Sequence, residues 1–156
     1  MRVDTNNNSI YIRALNINDV KELYIMLNDL DEKSKNFFHP HPFNIKSIEE
    51  IVNSEEDHYF VMFYNKKLIG YTFLRLFGFD VPSFGIVIRR GFTGRGYGTY
   101  LTKWMMNKAK EIGYKKVILK TYKENLPAKK IYEKIGFLIV GITENNKQYK
   151  MEFNLK

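Results

Sequence analysis

Gly94, Gly96 and Gly98 recur at two-residue spacing inside IVIRRGFTGRGYGTYL (86–101), between a branched apolar run and a segment of helical periodicity. Without Cβ atoms, the backbone N–H groups of such a turn can approach a ligand closely. The first amides of a helix also lack internal partners, and the helix dipole makes that end positive. A phosphate or pyrophosphate is the matching ligand, and Arg89, Arg90 and Arg95 add positive potential. A flexible strand-to-helix connection with surface arginines accounts for a bare glycine pattern equally well. Two familiar phosphate loops do not fit. A dinucleotide fingerprint wants its third glycine where Leu101 stands. A P-loop wants a lysine where Thr99 follows Gly98.

Other residues able to do chemistry lie elsewhere. Tyr132 shares a helical face with Ala128, Ile131 and Ile135, so its phenol is directed inward. Packing is the commoner role for such a ring, and a placed acid is the alternative. Asn125 precedes Leu126 and Pro127, a favourable order for a helix cap. His39 and His41 have a spacing that can ligate a metal. With no cysteine and no clustered carboxylates beside them, a structural or ligand-contacting loop is the better reading, and no metal is expected. FGIVI (84–88) carries no carboxylate, so a base must come from elsewhere: Asp80 in the turn before it, Glu124 after a later strand, or the two histidines.

The elements that must hold these residues can be read from periodicity. SIYIRAL (9–15) alternates as a strand, and NINDVKELYIMLNDL (16–30) switches to helical spacing, with Asn18 as cap and Val20, Leu23, Tyr24 and Leu27 on one face. SKNFFHPHPFN (34–44), rich in proline and phenylalanine, is expected to be irregular, and SIEEIVNS (47–54) to be a short helix. HYFVMFYN (58–65) and KLIGYTFLRLF (67–77) form a hairpin, and VPSFGIVIR (81–89) is a fourth strand. GYGTYLTKWMMNKAKEIG (96–113) is the longest helix, with Tyr97, Leu101, Trp104, Met105 and Ile112 at helical intervals and a stop at Gly113. YKKVILKTY (114–122) is a fifth strand and LPAKKIYEKIG (126–136) the last helix. FLIVGI (137–142) and QYKMEFNL (148–155) form a closing hairpin.

Composition narrows the classes. At 156 residues and 44% hydrophobic content, the chain can bury one core, so residues 1–156 are expected to be a single domain. A formal charge of +8 implies an anionic partner of some kind. Absence of cysteine excludes disulfides, thiolate metal sites and an acyl-cysteine intermediate, so any acyl transfer must use another route. MRVDTNNNSI has no apolar signal core, and no stretch approaches the roughly 20 apolar residues of a membrane span, so a soluble, cytoplasmic protein without membrane contact is expected. Tyr11, Tyr64 and Tyr122 among basic residues raise a nucleic-acid-binding reading. The lysines are spread along the chain and form no dense block, so solvated surface accounts for them and no nucleic-acid partner is expected.

GIVIRRGFTGRGYGTYL (85–101) resembles motif A, Q/R-x-x-G-x-G/A, of the GNAT superfamily of acyl-CoA-dependent N-acetyltransferases. NLPAKKIYEKIGF (125–137) resembles its motif B, N-x-x-A-x-x-[LI]-Y-x-K-x-G-F, at every specified position. One departure stands at Thr93, where motif A has a long polar side chain; Arg95 or Arg90 can substitute, altering cofactor affinity more than identity. The resemblance implies an α/β (α+β) fold of GNAT type: a mixed sheet of about seven strands, helices on both faces, splayed between strands four and five. It implies acetyl-CoA as co-substrate, with pantetheine along Ile86, Val87 and Ile88 and pyrophosphate at Thr93, Gly94, Arg95, Gly96, Tyr97, Gly98 and Thr99. Asn125, Ala128 and Tyr132 would line the pantetheine arm, the Ile88 N–H would stabilise the oxyanion, and Tyr132 would protonate the thiolate. For the acceptor, a small-molecule or protein amine with an apolar or ring-bearing character, it points to Phe37, Phe38, His39, His41 and Phe43, with Asp80 nearby. Monomer and homodimer both remain open. A non-catalytic acyl-CoA-binding module is the alternative, against which a placed Tyr132 argues.

Overall fold

A computed structural model describes residues 10–155, so the polar lead-in, including Ser9 of the first expected strand, lies outside the described residues. The elements are β1 (Ile10–Ala14), a 3-10 turn (Ile17–Asp19), α1 (Val20–Asn28), α2 (Glu32–Phe37), α3 (Ile45–Val52), β2 (His58–Tyr64), β3 (Lys67–Arg75), β4 (Ser83–Ile88), α4 (Tyr97–Ile112), β5 (Lys116–Tyr122), α5 (Leu126–Ile135), β6 (Leu138–Ile142) and β7 (Gln148–Asn154). Their order matches the periodicity, with corrections at the helix starts. Asn16, not Asn18, caps the first turn: its side chain accepts the Asn18 N–H at 2.9 Å, and Asp19 returns a bond to the Asn16 N–H at 2.9 Å. Asp19 also holds Arg13 through two bonds of 2.7 and 2.8 Å, which raise the guanidinium's pKa. Tyr24 faces solvent, and Met26 takes the inward place beside Leu23 and Leu27. The segment expected to be irregular begins as helix, because Asp31 accepts the Ser34 N–H at 2.7 Å and starts α2 ahead of the prolines.

The strands form one mixed seven-stranded sheet in the order β1-β2-β3-β4-β5-β7-β6, antiparallel except between β4 and β5. Alternation sends Tyr59, Val61 and Phe63 of β2 into the layer of α1 and α3, with Leu23, Leu27 and Ile48. Phe60 and Met62 go the other way, against Met105 and Leu101 of α4. Helices therefore cover both faces. A register shift between Met62 and Phe63 leaves Ile69 of β3 unmatched, so that Leu68 and Tyr71, three residues apart, both reach the α1 side. Gly113 stops α4 in the left-handed conformation at φ 112°. Because β7 lies between β5 and β6, the closing hairpin leaves β6 at the sheet edge, with Leu138 and Val140 exposed.

The functional consequence of this topology lies at the middle of the sheet. β4 and β5 pair only at their N-terminal ends, through Ser83 opposite Ile118 and an Ile118 N–H to Pro82 carbonyl bond of 3.0 Å. Beyond that rung the two parallel strands separate. Among the described residues, no helix is long and apolar enough to cross a membrane.

Candidate active site

The separated strands open a cavity of about 330 Å³. One wall is β4 from Phe84 to Ile88, and the facing wall is Lys120, Thr121 and Tyr122 of β5. The Arg89 N–H donates to the Ile69 carbonyl of β3 at 2.7 Å. On an extended strand successive N–H groups alternate in direction, so those of Ile88 and Ile86 point away from β3, toward the opening. No β5 residue is paired with them there.

At the C-terminal end of β4 the chain makes the glycine turn. Gly91, Gly94 and Gly96 all take left-handed φ values, 91°, 73° and 93°, which is why glycine serves at these positions. Gly96 precedes α4, and no side chain caps the helix. The first intrahelical bond there runs from the Tyr100 N–H to the Gly96 carbonyl at 3.0 Å. The amides of Gly98 and Thr99 therefore have no helical acceptor, and both line the cavity with Thr93, Gly94 and Gly96. A Cβ on Gly98 would stand 3.6 Å from Ile131 and 3.9 Å from Ile88, so the missing side chain keeps the passage between β4 and α5 open. Open amides at a positive helix end, joined to an unpaired strand edge, suit a diphosphate followed by a narrow amide-bearing arm.

From α5, Asn125, Pro127, Ala128, Ile131 and Tyr132 enter the lining. Asn125 makes no side-chain cap, correcting that half of the expectation and leaving its amide free to face the cavity. The Tyr132 ring packs edge-on to Phe84 at 6.1 Å and against Phe137 at 5.7 Å. No described residue hydrogen-bonds its hydroxyl, and burial pushes its pKa well above the ordinary phenol value. From the opposite face of the sheet come Ser34, Phe37 and Phe38.

Ile86, Val87, Ile88, Thr93, Gly94, Gly96, Gly98, Thr99, Asn125, Ala128, Tyr132, Phe37 and Phe38 are thus brought together around one space. Six expected site residues are not. Arg95 lies over the Phe92 ring at 5.4 Å. Tyr97 is buried between Tyr64 and Phe92. Asp80 is exposed in the β3–β4 loop. Phe43 packs on Phe38 and the α1-side core. His39 turns to Tyr122, Nε2 to hydroxyl 2.9 Å. His41 has Nδ1 2.8 Å from the Pro42 carbonyl, which can only accept, so Nδ1 carries the proton and Nε2 accepts the Tyr71 hydroxyl at 2.9 Å. Burial lowers the His41 pKa and Arg75 adds to this, while the Pro42 bond opposes it. His41 is neutral, anchored and outside the cavity.

Arg89 also departs from expectation. Its Nε donates to the Leu68 carbonyl at 2.6 Å and its guanidinium lies 3.7 Å from Glu22, so its charge is used behind β3. Sequence reasoning missed Phe84, Gly85, Ser34 and Tyr122 as lining residues. Phe84 and Gly85 directly precede the named stretch of β4 and could have been found by extending it; Ser34 arrives through tertiary folding. Among the described residues no group of three or more His, Cys, Asp or Glu could hold a metal.

Residues 23–137 match the model of the Acetyltransferase (GNAT) family. The structure is similar to the acetyltransferase of GNAT family from Streptococcus pneumoniae, at 21% identity over 94% of this chain and 100% of that one, with TM-score 0.78. It is similar to spermidine N-acetyltransferase from Vibrio cholerae in complex with CoA and spermine, at 20% identity over 93% and 95% of the two chains, TM-score 0.78. Ribosomal-protein-S5-alanine acetyltransferase from Vibrio fischeri superposes with TM-score 0.81 at 12% identity over 93% and 92%. At these identities the structural likenesses establish the shared fold.

Proposed function

The chain belongs to the GNAT acetyltransferase family, and on that premise we propose that it is an N-acetyltransferase moving an acetyl group from acetyl-CoA to a primary amine, both substrates bound at once. The observation that carries this reading is one cavity bounded by helix-end amides at Gly98 and Thr99, by the unpaired edge of β4, by the Tyr132 ring, and by Phe37 and Phe38 from the other face. The pyrophosphate of acetyl-CoA sits on the α4 amides, and its pantetheine amides replace the β5 partner that β4 lacks beyond Ser83. A CoA–spermine complex of a similarly folded protein supports this use of the fold.

The reaction then has three jobs. The amine, entering past Phe37 and Phe38, must be neutral; with an ordinary pKa near ~10 it gives its proton to water in the cavity mouth before or during attack. As the C–N bond forms, the carbonyl oxygen becomes an oxyanion, which the Ile88 N–H meets without reorganisation. As the C–S bond breaks, the Tyr132 hydroxyl donates to the departing thiolate. A free thiol titrates near ~8.5, below this phenol, so in water the transfer would run uphill. In an apolar cleft the thiolate is desolvated too, its basicity rises, and the hydrogen bond stabilises it until the proton moves. The absence of cysteine agrees with direct transfer.

The test combines calorimetry of CoA binding with thiol release from acetyl-CoA across a panel of primary amines. Binding together with amine-dependent thiol release is expected. Binding with no release for any amine would leave a non-catalytic acyl-CoA-binding module, and absence of binding would remove the reading.

A further inference from the structure

A second cavity, of about 620 Å³, adjoins the first and shares two of its residues, Phe37 and Tyr122, whose ring centroids stand 5.7 Å apart. Three elements build its walls. Lys33 comes from α2, Lys123 and Glu124 from the end of β5, and Asn146 and Lys147 from the β6–β7 turn. Three lysines and one glutamate, Glu124, thus line one space.

What sets these lysines apart is their convergence from separate elements on one space beside the first cavity. Lys116 pairs with Glu152 at 3.1 Å and Lys129 with Glu133 at 3.3 Å. Among the described residues, no carboxylate lies within ion-pair distance of Lys33, Lys123 or Lys147, nor of Lys120, which lines the first cavity. Lys123 is nevertheless held: its Nζ donates to the Asn146 side-chain oxygen at 2.6 Å and lies over the Tyr149 ring at 5.6 Å. Both contacts orient the ammonium without cancelling its charge. Like charges gathered from three separate elements repel one another and favour an anion between them. The same field disfavours a polycation in that space.

We propose that the acceptor amine carries an anionic group, carboxylate or phosphate, which this second cavity receives while the amine reaches over the Phe37–Tyr122 pair into the first. The inference rests on the acetyl-transfer reading and narrows its acceptor class. The same lysine field could instead serve the phosphates of acetyl-CoA, so the experiment has to separate the two anions.

Matched acceptors do so: O-phosphoethanolamine against ethanolamine, a dipeptide against its C-terminal amide, and spermidine as the polycation, each with saturating acetyl-CoA. The expected result is a kcat/KM advantage of about tenfold for the anionic member of each pair, shrinking as salt is raised. The triple substitution Lys33→Ala, Lys123→Ala, Lys147→Ala should abolish that advantage while KM for acetyl-CoA moves less than about twofold. Spermidine as the preferred acceptor, or equal rates within each pair, would overturn the inference and leave acetyl transfer standing. A large rise in the triple variant's KM for acetyl-CoA would reassign the lysines to the coenzyme. Failure of every amine with the unaltered protein would remove both readings together.

Discussion

Tyr132 gives the sharpest residue-scale prediction because its ring and its hydroxyl separate cleanly. The ring touches Phe84 and Phe137, and the hydroxyl bonds no described residue. Tyr132→Phe therefore keeps the packing and removes only the hydroxyl. We expect kcat to fall about 100-fold, KM for acetyl-CoA to stay within about twofold, and the thermal midpoint to hold. Burial keeps the phenol protonated beyond its ordinary range, so this residue should contribute no alkaline loss of rate near neutral pH. Steady-state kinetics of the variant across pH, alongside a melting curve, checks all of this; a full-rate variant would remove Tyr132 from the chemistry. That Gly94, Gly96, Gly98 and Tyr132 line one cavity was legible in the sequence because their placement depends on local backbone and helix phase. Arg89 and His41 were not. Their partners, Glu22 and Tyr71, lie far along the chain, and only the tertiary structure shows that a charge or a lone pair is already engaged.

Elements show the same division. Strands and the long helix were readable from apolar runs, period and the Gly113 stop: β2 and β3 are continuous apolar runs buried on both faces, β5 alternates, and α4 repeats at helical spacing. The segment after α1 was not, because the Asp31 cap prevails locally over the breaker signal of Pro40 and Pro42. Between α2 and α3 the chain is a loop pinned from several directions. The Arg75 guanidinium donates to the Pro40 carbonyl at 2.9 Å, the Tyr71 hydroxyl to His41, and the Asn28 amide to the Phe43 carbonyl at 2.8 Å. Its pH dependence has a definite sign. Burial lowers the His41 pKa from its ordinary 6.5, so below that value the unfolded chain binds more protons than the folded one. His58, half-buried against Tyr114, shifts the same way and for the same first cause. Stability should therefore be full above about pH 6.5 and fall as pH drops through and below it. Melting temperatures between pH 8 and pH 5 should show that fall, and His41→Asn should flatten part of it. An unchanged slope in the variant would assign the acid sensitivity elsewhere.

At the scale of the whole molecule, the sheet is two antiparallel halves, β1 to β4 and β5 to β7, joined by one rung of parallel pairing at Ser83 and Ile118. Each half has its own ladders, and the α4 side packs residues of both halves in one cluster: Phe60, Leu74 and Phe84 with Val117, Leu119 and Met151. The open end of the seam is therefore where ligand binding should alter stability most, because a pantetheine-like arm supplies hydrogen bonds that no described residue makes there. A ligand binding only the folded state at 100 times its Kd stabilises by about 2.7 kcal/mol. For a chain of this size that is roughly 5–10 °C in thermal midpoint. Coenzyme A should produce a rise of that order, and hydrogen exchange should slow at Ile86 and Ile88 more than at β1 or β6. Gly98→Val puts branched carbon where even a Cβ would stand 3.6 Å from Ile131. It should abolish both effects while the unliganded protein still melts cooperatively. Protection confined to the outer strands, or a full thermal shift in that variant, would mean that the ligand binds somewhere other than the seam.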